Sequence, residues 1–199
     1  MSDYSILNMI ENVFSLLYTK MSFPGARLVR LPVYIRGKKG ISYKKGLTTG
    51  HGCRIDALPI KETLSIGENA RIGDCVHINA DEKVTIGDNV LIASKVFISD
   101  ASHGIYKGRN QSSPYSNPSL RETITAPVVI GDNVWIGENV VILSGSKIGN
   151  GCVIGANTLV NGGEFPDNTI IVGSPARIIK KYNEETQEWE KYGNVGENI

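Results

Sequence analysis

Cysteine and histidine are both scarce in this sequence. The three cysteines, Cys53, Cys75 and Cys152, are too few and too scattered for a disulfide framework. None has the short spacing of a zinc site, so a reducing compartment is expected. The three histidines, His51, His77 and His103, lie 26 residues apart, and no metal site is expected from that spacing. No segment approaches the roughly 20 apolar residues that a membrane-spanning helix needs. The first residues also lack the basic stretch and apolar run of a secretory signal, so a cytoplasmic protein is expected. Net charge is nearly absent as well: 21 Lys and Arg against 20 Asp and Glu leave +1, which gives no global reason to bind nucleic acid.

One local absence is more informative. From Asn12 to Ile55 there is no acidic residue, but there are nine basic ones: Lys20, Arg27, Arg30, Arg36, Lys38, Lys39, Lys44, Lys45 and Arg54. The end of the chain reverses the balance, with Glu184, Glu185, Glu188, Glu190 and Glu197 against Lys191 after residue 183. At 199 residues the chain suits one domain with small terminal additions.

What is abundant is a repeat of period six. Aliphatic residues recur at Ile66, Ile72 and Ile78, at Ile86, Ile92 and Ile98, and at Ile130, Ile136, Ile142, Ile148, Ile154 and Val160. Most are followed by glycine or another small residue, and the phrase Ile-Gly-Asp-Asn-Val occurs at both 86–90 and 130–134. A helix would place apolar residues three or four apart, and a lone half-buried strand would alternate them. A period of six instead fits one inward aliphatic residue per short strand, followed by a turn through a permissive Gly or Asn. Three such strands close a triangular coil of about 18 residues, and coils stack at roughly the 4.8 Å strand spacing. Small residues such as Val90, Val140 and Thr158 share the narrow interior. A degenerate start is expected at Ile35, Ile41, Leu47 and Cys53, with a slip in phase near Pro59, for roughly seven coils in all.

Two interruptions and two ends complete the layout. The repeat stops at Ile98 and resumes near Val128, which predicts an extruded loop near 103–127, and a long loop in a regular solenoid is commonly functional. A smaller irregularity at Asn79 to Lys83 widens one interval from six to eight. Residues 4–21 predict a helix with Ile6, Leu7, Ile10, Val13, Phe14 and Leu17 on a broad apolar face. That face would cap the open end of the coil stack or, with the basic stretch behind it, touch a membrane surface. The acidic tail, with Tyr182 and Trp189, predicts a short C-terminal helix. The division expected is 1–28 as a capping segment, 29–181 as the repeat domain and 182–199 as the tail.

His103 stands out among the histidines because it ends the strand Ile98-Ser-Asp-Ala-Ser-His103 and opens the long loop, where a cleft can form. A histidine there can take a proton from a hydroxyl near neutral pH. This segment, its loop, the run Val129-Ile-Gly-Asp-Asn-Val-Trp-Ile-Gly-Glu-Asn-Val-Val-Ile and the ending Gly173-Ser-Pro-Ala-Arg-Ile-Ile-Lys180 resemble the hexapeptide-repeat acyltransferase family. The similarity is to its galactoside, maltose and lipopolysaccharide O-acetyltransferases, and it covers roughly Ile60 to Lys181. The resemblance implies an all-β, left-handed parallel β-helix and a homotrimer with active sites between subunits. It also implies acetyl-CoA as co-substrate and transfer of acetyl to a sugar hydroxyl with no metal required.

Carried over position by position, the resemblance makes His103 the general base and puts Asn79 and Asp100 on the acceptor side. Trp135 would lie beside the CoA arm, the amide of Glu138 would face the thioester oxygen, and the amide of Ala156 would bind the pantetheine. Arg177 and Lys180 would meet the CoA phosphates. Direct transfer is implied, and Cys152, at a repeat position, is expected to pack rather than act as a nucleophile. The expected acceptor is a sugar of an O-antigen, capsule or other surface polysaccharide. An antibiotic or amino-sugar acceptor, or a non-catalytic or metal-binding β-helix, are the alternatives that the residues leave open. Three departures from the family pattern bear on CoA and acceptor binding: Val160-Asn-Gly-Gly-Glu-Phe-Pro166 lacks the usual lysine, Ser144-Gly145 replaces Pro-Gly, and the interval after Asn79 is shorter than in galactoside acetyltransferases.

Overall fold

The fold is taken from a computed structural model, which describes residues 5–193. Three parallel sheets form the sides of a triangular β-helix. The first sheet begins with seven parallel strands, from Leu28–Val29 through Thr48–Thr49, Arg71–Ile72, Leu91–Ile92, Trp135–Ile136 and Val153–Ile154 to Thr169–Val172. The second sheet holds Val33–Arg36, Cys53–Ala57, His77–Ala80, Phe97–Ser99, Val141–Ile142 and Leu159–Val160. The third holds Ile41–Tyr43, Leu64–Ile66, Val84–Ile86, Val128–Ile130, Ser146–Ile148 and Gly163–Phe165.

The period of six translates directly into three inward ladders. Ile72, Ile92, Ile136 and Ile154 stack in the first sheet, Ile55, Ile78, Ile98 and Ile142 in the second, and Ile66, Ile86, Ile130 and Ile148 in the third. All are buried, as are Val90, Val140 and Thr158 between them. Cys152 is buried in the same way, and burial pushes the Cys53 thiol up to about 11. The turns are built on Asn in the left-handed region: Asn69, Asn89, Asn133, Asn139 and Asn157 have φ between 56° and 59°. Asparagine tolerates that conformation better than other side chains.

The first coils follow a different phase from the one the spacing suggests. Ile35 pairs with Ile55, and 20 residues separate them. The ladder positions are then Tyr43, Thr49 and Ile55, two residues beyond Ile41, Leu47 and Cys53. Leu47 and Cys53 are still buried, but in the places that Ala70 and Val76 fill one coil later. The extra residues sit in the corner after the second sheet, where chain length is free to vary.

Both ends differ from expectation in an instructive way. Among the described residues the tail forms no helix, and 194–199 lie outside them. Arg177–Asn183 adds antiparallel to Thr169–Val172, and Glu188–Lys191 adds to that strand in turn. The last coil leaves an open sheet edge whose backbone groups need partners, and the β-branched and aromatic residues Ile178, Ile179, Tyr182 and Trp189 suit a strand. Tyr182 and Trp189 meet edge to face at 5.4 Å. At the other end, the helix Ile6–Ser22 does lie on the first strand, but through its polar side. Thr19 Oγ1 accepts from the Val29 amide at 2.8 Å and Ser15 Oγ accepts from the Leu31 amide at 3.1 Å. These two buried side chains satisfy edge amides that have no strand below them. The apolar face points outward. Among the described residues no helix is long and apolar enough to cross a membrane.

Two positions of one corner break the turn rule, Cys75 and Lys95, with φ of 56° and 59°. Gly52, Asn139 and Asn157 suit the left-handed conformation there, whereas Cys75 adopts it at φ 56° as an exposed residue. Replacing Cys75 with Asn is expected to raise the stability of the fold by about 0.5–1 kcal/mol. Urea unfolding of the two proteins measures the difference, and an unchanged or lowered midpoint would contradict the account of the turns.

Candidate active site

His103 is positioned by a departure from the repeat. The buried strand end Ile98–Ser99 gives way to Ala101–His103, which turns out of the coil and pairs antiparallel with Thr123–Thr125. Asp100 anchors the exit. It is fully buried; its Oδ1 accepts from the Asp81 amide at 2.9 Å and its Oδ2 from the Glu82 and Lys83 amides at 2.8 and 2.7 Å. One carboxylate therefore holds together the two irregularities seen in the sequence, the widened turn at 79–83 and the root of the loop. Asp100 leaves no oxygen facing solvent, so in this structure it orients the backbone rather than presenting a group to an acceptor.

The loop beyond His103 has an internal frame. Tyr106 Oη donates to the His103 carbonyl at 2.8 Å, and Arg121 Nη1 donates to Tyr106 Oη at 2.7 Å. Arg121 also donates to Ser116 Oγ and to the Ser113 and Ser116 carbonyls. The backbone at His103 is thus braced while its imidazole is exposed. Asn79 lies on the second sheet beside Ser99, whose Oγ its Nδ2 reaches at 3.5 Å.

The remaining candidates gather at a different corner, between the first and second sheets. At the corner between the third and first sheets, four successive turn amides are each capped by the next coil. The amide of Glu68 meets Asp88 Oδ1, that of Asp88 meets Asp132 Oδ1, that of Asp132 meets Asn150 Oδ1 and that of Asn150 meets Asp167 Oδ1, at 2.7–2.8 Å. At the corner between the first and second sheets the series starts in the same way, with the His51 amide on Asp74 Oδ1 and the Asp74 amide on Ser94 Oγ. It then stops. Ala156 has no side-chain acceptor to offer, and among the described residues the amides of Ser94, Glu138 and Ala156 meet no acceptor. Gly137 permits the tight stacking here, since a Cβ on it would lie 2.6 Å from the Ala156 nitrogen.

Trp135 stands exposed on the outer face of the first sheet next to this corner. Its row continues through Val153 and Ile170 to Lys180, with Arg177 paired to Val172 alongside. Three strand spacings, about 14 Å, separate Trp135 from Lys180. An aromatic face, a row of free turn amides and two cations along one side suit a long ligand with a polar head at one end and anionic groups at the other.

One chain does not bring the two groups together. Glu138 precedes the strand Val141–Ile142, whereas His103 emerges beyond the far end of the paired strand Phe97–Ser99. They therefore stand at opposite ends of one side of the triangle. The sequence reading also missed a neighbour of Asn79. Arg36 Nε and Nη2 donate to Asp56 Oδ1 and Oδ2 at 2.5 and 2.9 Å, Arg54 Nε donates to Oδ2 at 2.8 Å, and His77 Nε2 lies 3.2 Å from Oδ2. Asp56 pairs directly with Asn79. Only the true register of the early coils, with Arg36 opposite Asp56, reveals this cluster.

A triangular β-helix built on a six-residue repeat is the architecture of the hexapeptide-repeat transferases. Comparison with known proteins agrees. Residues 127–162 match the family model described as bacterial transferase hexapeptide (six repeats). The protein of Escherichia coli K12 named "putative lipopolysaccharide biosynthesis O-acetyl transferase WbbJ" is 45% identical over 189 residues, covering 94% of this chain and 95% of that one. A hexapeptide-repeat acetyltransferase of Vibrio cholerae solved with acetyl coenzyme A is 27% identical, with a TM-score of 0.52 over 92% of this chain and 93% of that one. The N-acyltransferase AntD of Bacillus cereus, at 20% identity, shares the fold with a TM-score of 0.69 over 94% of this chain and 93% of that one. The chain belongs to the hexapeptide-repeat acyltransferase family.

The Asp56 cluster carries a pH dependence. Hydrogen bonds from Arg36 first, and then from Arg54 and His77, hold the buried Asp56 carboxyl well below the usual carboxylate range. A depressed folded-state value contributes stability that is present above the ordinary value, about 4, and is lost as pH falls through the folded one. The stability gap between the protein and Asp56→Asn should therefore be widest near neutral pH and close progressively below about pH 4. Urea unfolding across that range reads it, and a gap independent of pH would contradict the assignment.

Proposed function

We propose that the protein moves acetyl from acetyl-CoA to a sugar hydroxyl in the biosynthesis of a surface polysaccharide such as an O-antigen or capsule. The observation that carries the reading is the uncapped corner at Glu138 and Ala156 beside Trp135, where fixed amides can meet a thioester oxygen and the amide-rich pantetheine. The near full-length similarity to a lipopolysaccharide O-acetyl transferase supports the acceptor class. Arg177 and Lys180 would face the CoA phosphates, and His103 and Asn79 would serve the acceptor.

The chemistry balances without an acyl-enzyme. The acceptor oxygen attacks the thioester carbonyl carbon as His103 takes the hydroxyl proton. The oxyanion forms against the Glu138 amide, the C–S bond breaks as the C–O bond is completed, and the sulfur leaves as thiolate to be protonated from His103 or solvent. A fully buried Cys152 suits packing and not nucleophilic attack.

The separation of His103 from Glu138 within one chain favours the homotrimer that the family resemblance implies. The loop of one subunit would then approach the CoA face of the next, in a heterologous contact that closes after three copies. Three free cysteines suit the reducing cytoplasm as the place of action.

Acceptor-dependent release of CoA from acetyl-CoA, measured against sugars and nucleotide- or lipid-linked glycans, tests the proposal. His103→Ala is expected to lower the rate by about 10²–10⁴ while leaving acetyl-CoA affinity unchanged. Full activity in the variant would remove His103 from the chemistry, and failure of the wild type to bind acetyl-CoA would overturn the whole reading.

A further inference from the structure

The N-terminal helix is turned inside out relative to an ordinary surface helix. Its inward side is the polar pair Ser15 and Thr19, both fully buried. Its outward side is apolar: Ile6, Ile10, Val13, Phe14, Leu17 and Met21 are between 47% and 85% exposed. Their spacing of four, three, one, three and four residues is that of one continuous helical stripe. A stripe of that size left in water is costly, and large exposed apolar patches mark a surface that something covers.

The charges around the stripe indicate what covers it. Glu11 is the single acidic residue between positions 5 and 55. Lys20 sits in the last turn of the helix, and Arg27, Lys38 and Lys39 are exposed in the segment that follows. Lys38 Nζ donates to the Ser22 carbonyl at 2.5 Å and stands 4.6 Å from the centre of the Phe23 ring, which fixes a cation at the C-terminal end of the helix. A second copy of this chain, related by a twofold axis through the helix, would set this basic rim against itself. An anionic surface complements it. The helix is about 25 Å long, and with Glu11, Asn12 and Lys20 along it the geometry suits lying in the plane of an interface rather than crossing it.

We infer that the helix Ile6–Ser22 seats the protein on an anionic lipid surface, with the apolar stripe among the acyl-chain ends and the basic segment against the headgroups. Exposed apolar area and a basic rim act together in such binding: each headgroup contact is weak and salt-sensitive, and the stripe supplies the salt-resistant part. The inference stands apart from the acceptor reading, because it concerns where the protein sits and not what it acetylates.

Flotation of the full-length protein with vesicles of phosphatidylcholine, with and without phosphatidylglycerol, tests it. The protein is expected to float with the anionic vesicles and to bind the neutral ones at least tenfold more weakly. Phe14→Asp combined with Leu17→Asp, and separately Lys20→Glu with Lys39→Glu, should each weaken binding to the anionic vesicles at least tenfold. Solution mass and acetyl-CoA release should stay as in the wild type. These substitutions lie at exposed positions, and circular dichroism checks that the fold is kept. Absence of the wild type from the floated fraction would overturn the inference, as would undiminished binding by the helix variant. A drop in the solution mass of that variant would assign the stripe to a second copy of the chain instead.

Discussion

Each coil can stack on the next only if an inward residue of the right size meets its partner at every rung. The narrow triangular interior leaves room for little more than one isoleucine and one smaller residue per side, which is why Ile78, Ile98 and Ile142 sit directly over one another. Burying each contributes about 1.5–3 kcal/mol, and the parallel ladders satisfy the backbone that this burial encloses. This packing also fixes the outer surface. Once the inward residue of a short strand is set, its neighbours must face out, so the row Trp135, Val153, Ile170, Lys180 follows from the same register that stacks Ile136 on Ile154.

Chemistry enters where this regularity is relaxed. At most turns the next coil caps the exposed amide with Asp or Asn. At Ser94, Glu138 and Ala156 the cap is missing, and these donors are left facing outward on a backbone too rigid to turn them away. At the exit of the loop, Asp100 works in the opposite sense, spending a whole carboxylate on three amides of residues 81–83 so that the chain can leave the coil at a defined angle and carry His103 with it. A rigid solenoid thereby supplies fixed donors at one corner and a projecting histidine at another. Bringing them together is the task of assembly in the proposed trimer.

Much of this was legible in the sequence because the repeat has one physical meaning. A period of six with Gly, Asp and Asn after the aliphatic residue admits few structures besides a triangular coil, and the loop at 103–127 declares itself by interrupting it. The early coils were harder to read. Tyr43 and Thr49 occupy ladder positions without looking aliphatic, while Leu47 and Cys53 look like ladder residues and fill the secondary places. The Arg36, Arg54, Asp56 and His77 cluster was hidden for the same reason, since its members come together only in the true register. The helix expected for the tail gives way, over its described residues, to strands, because the open edge of the last coil needs backbone partners that the periodicity does not declare. The outward apolar face of the N-terminal helix could not be foreseen from periodicity, which gives the stripe but not the side on which the protein lies; Ser15 and Thr19 decide that by reaching the amides of Leu31 and Val29.

The central claim is that catalytic groups from two faces of the fold meet between neighbouring chains. Subunit mixing tests it most directly. Chains carrying His103→Ala and chains blocked at the exposed turn by Ala156→Trp are each expected to be inactive alone, and the two would be unfolded together and reassembled. In a closed heterologous ring, random mixing restores about a quarter of the sites, since each site needs the intact half of each chain type. Recovery of acetyl transfer near that level would establish composite sites. No recovery from a correctly reassembled mixture would place both halves of the site within one chain and contradict the account.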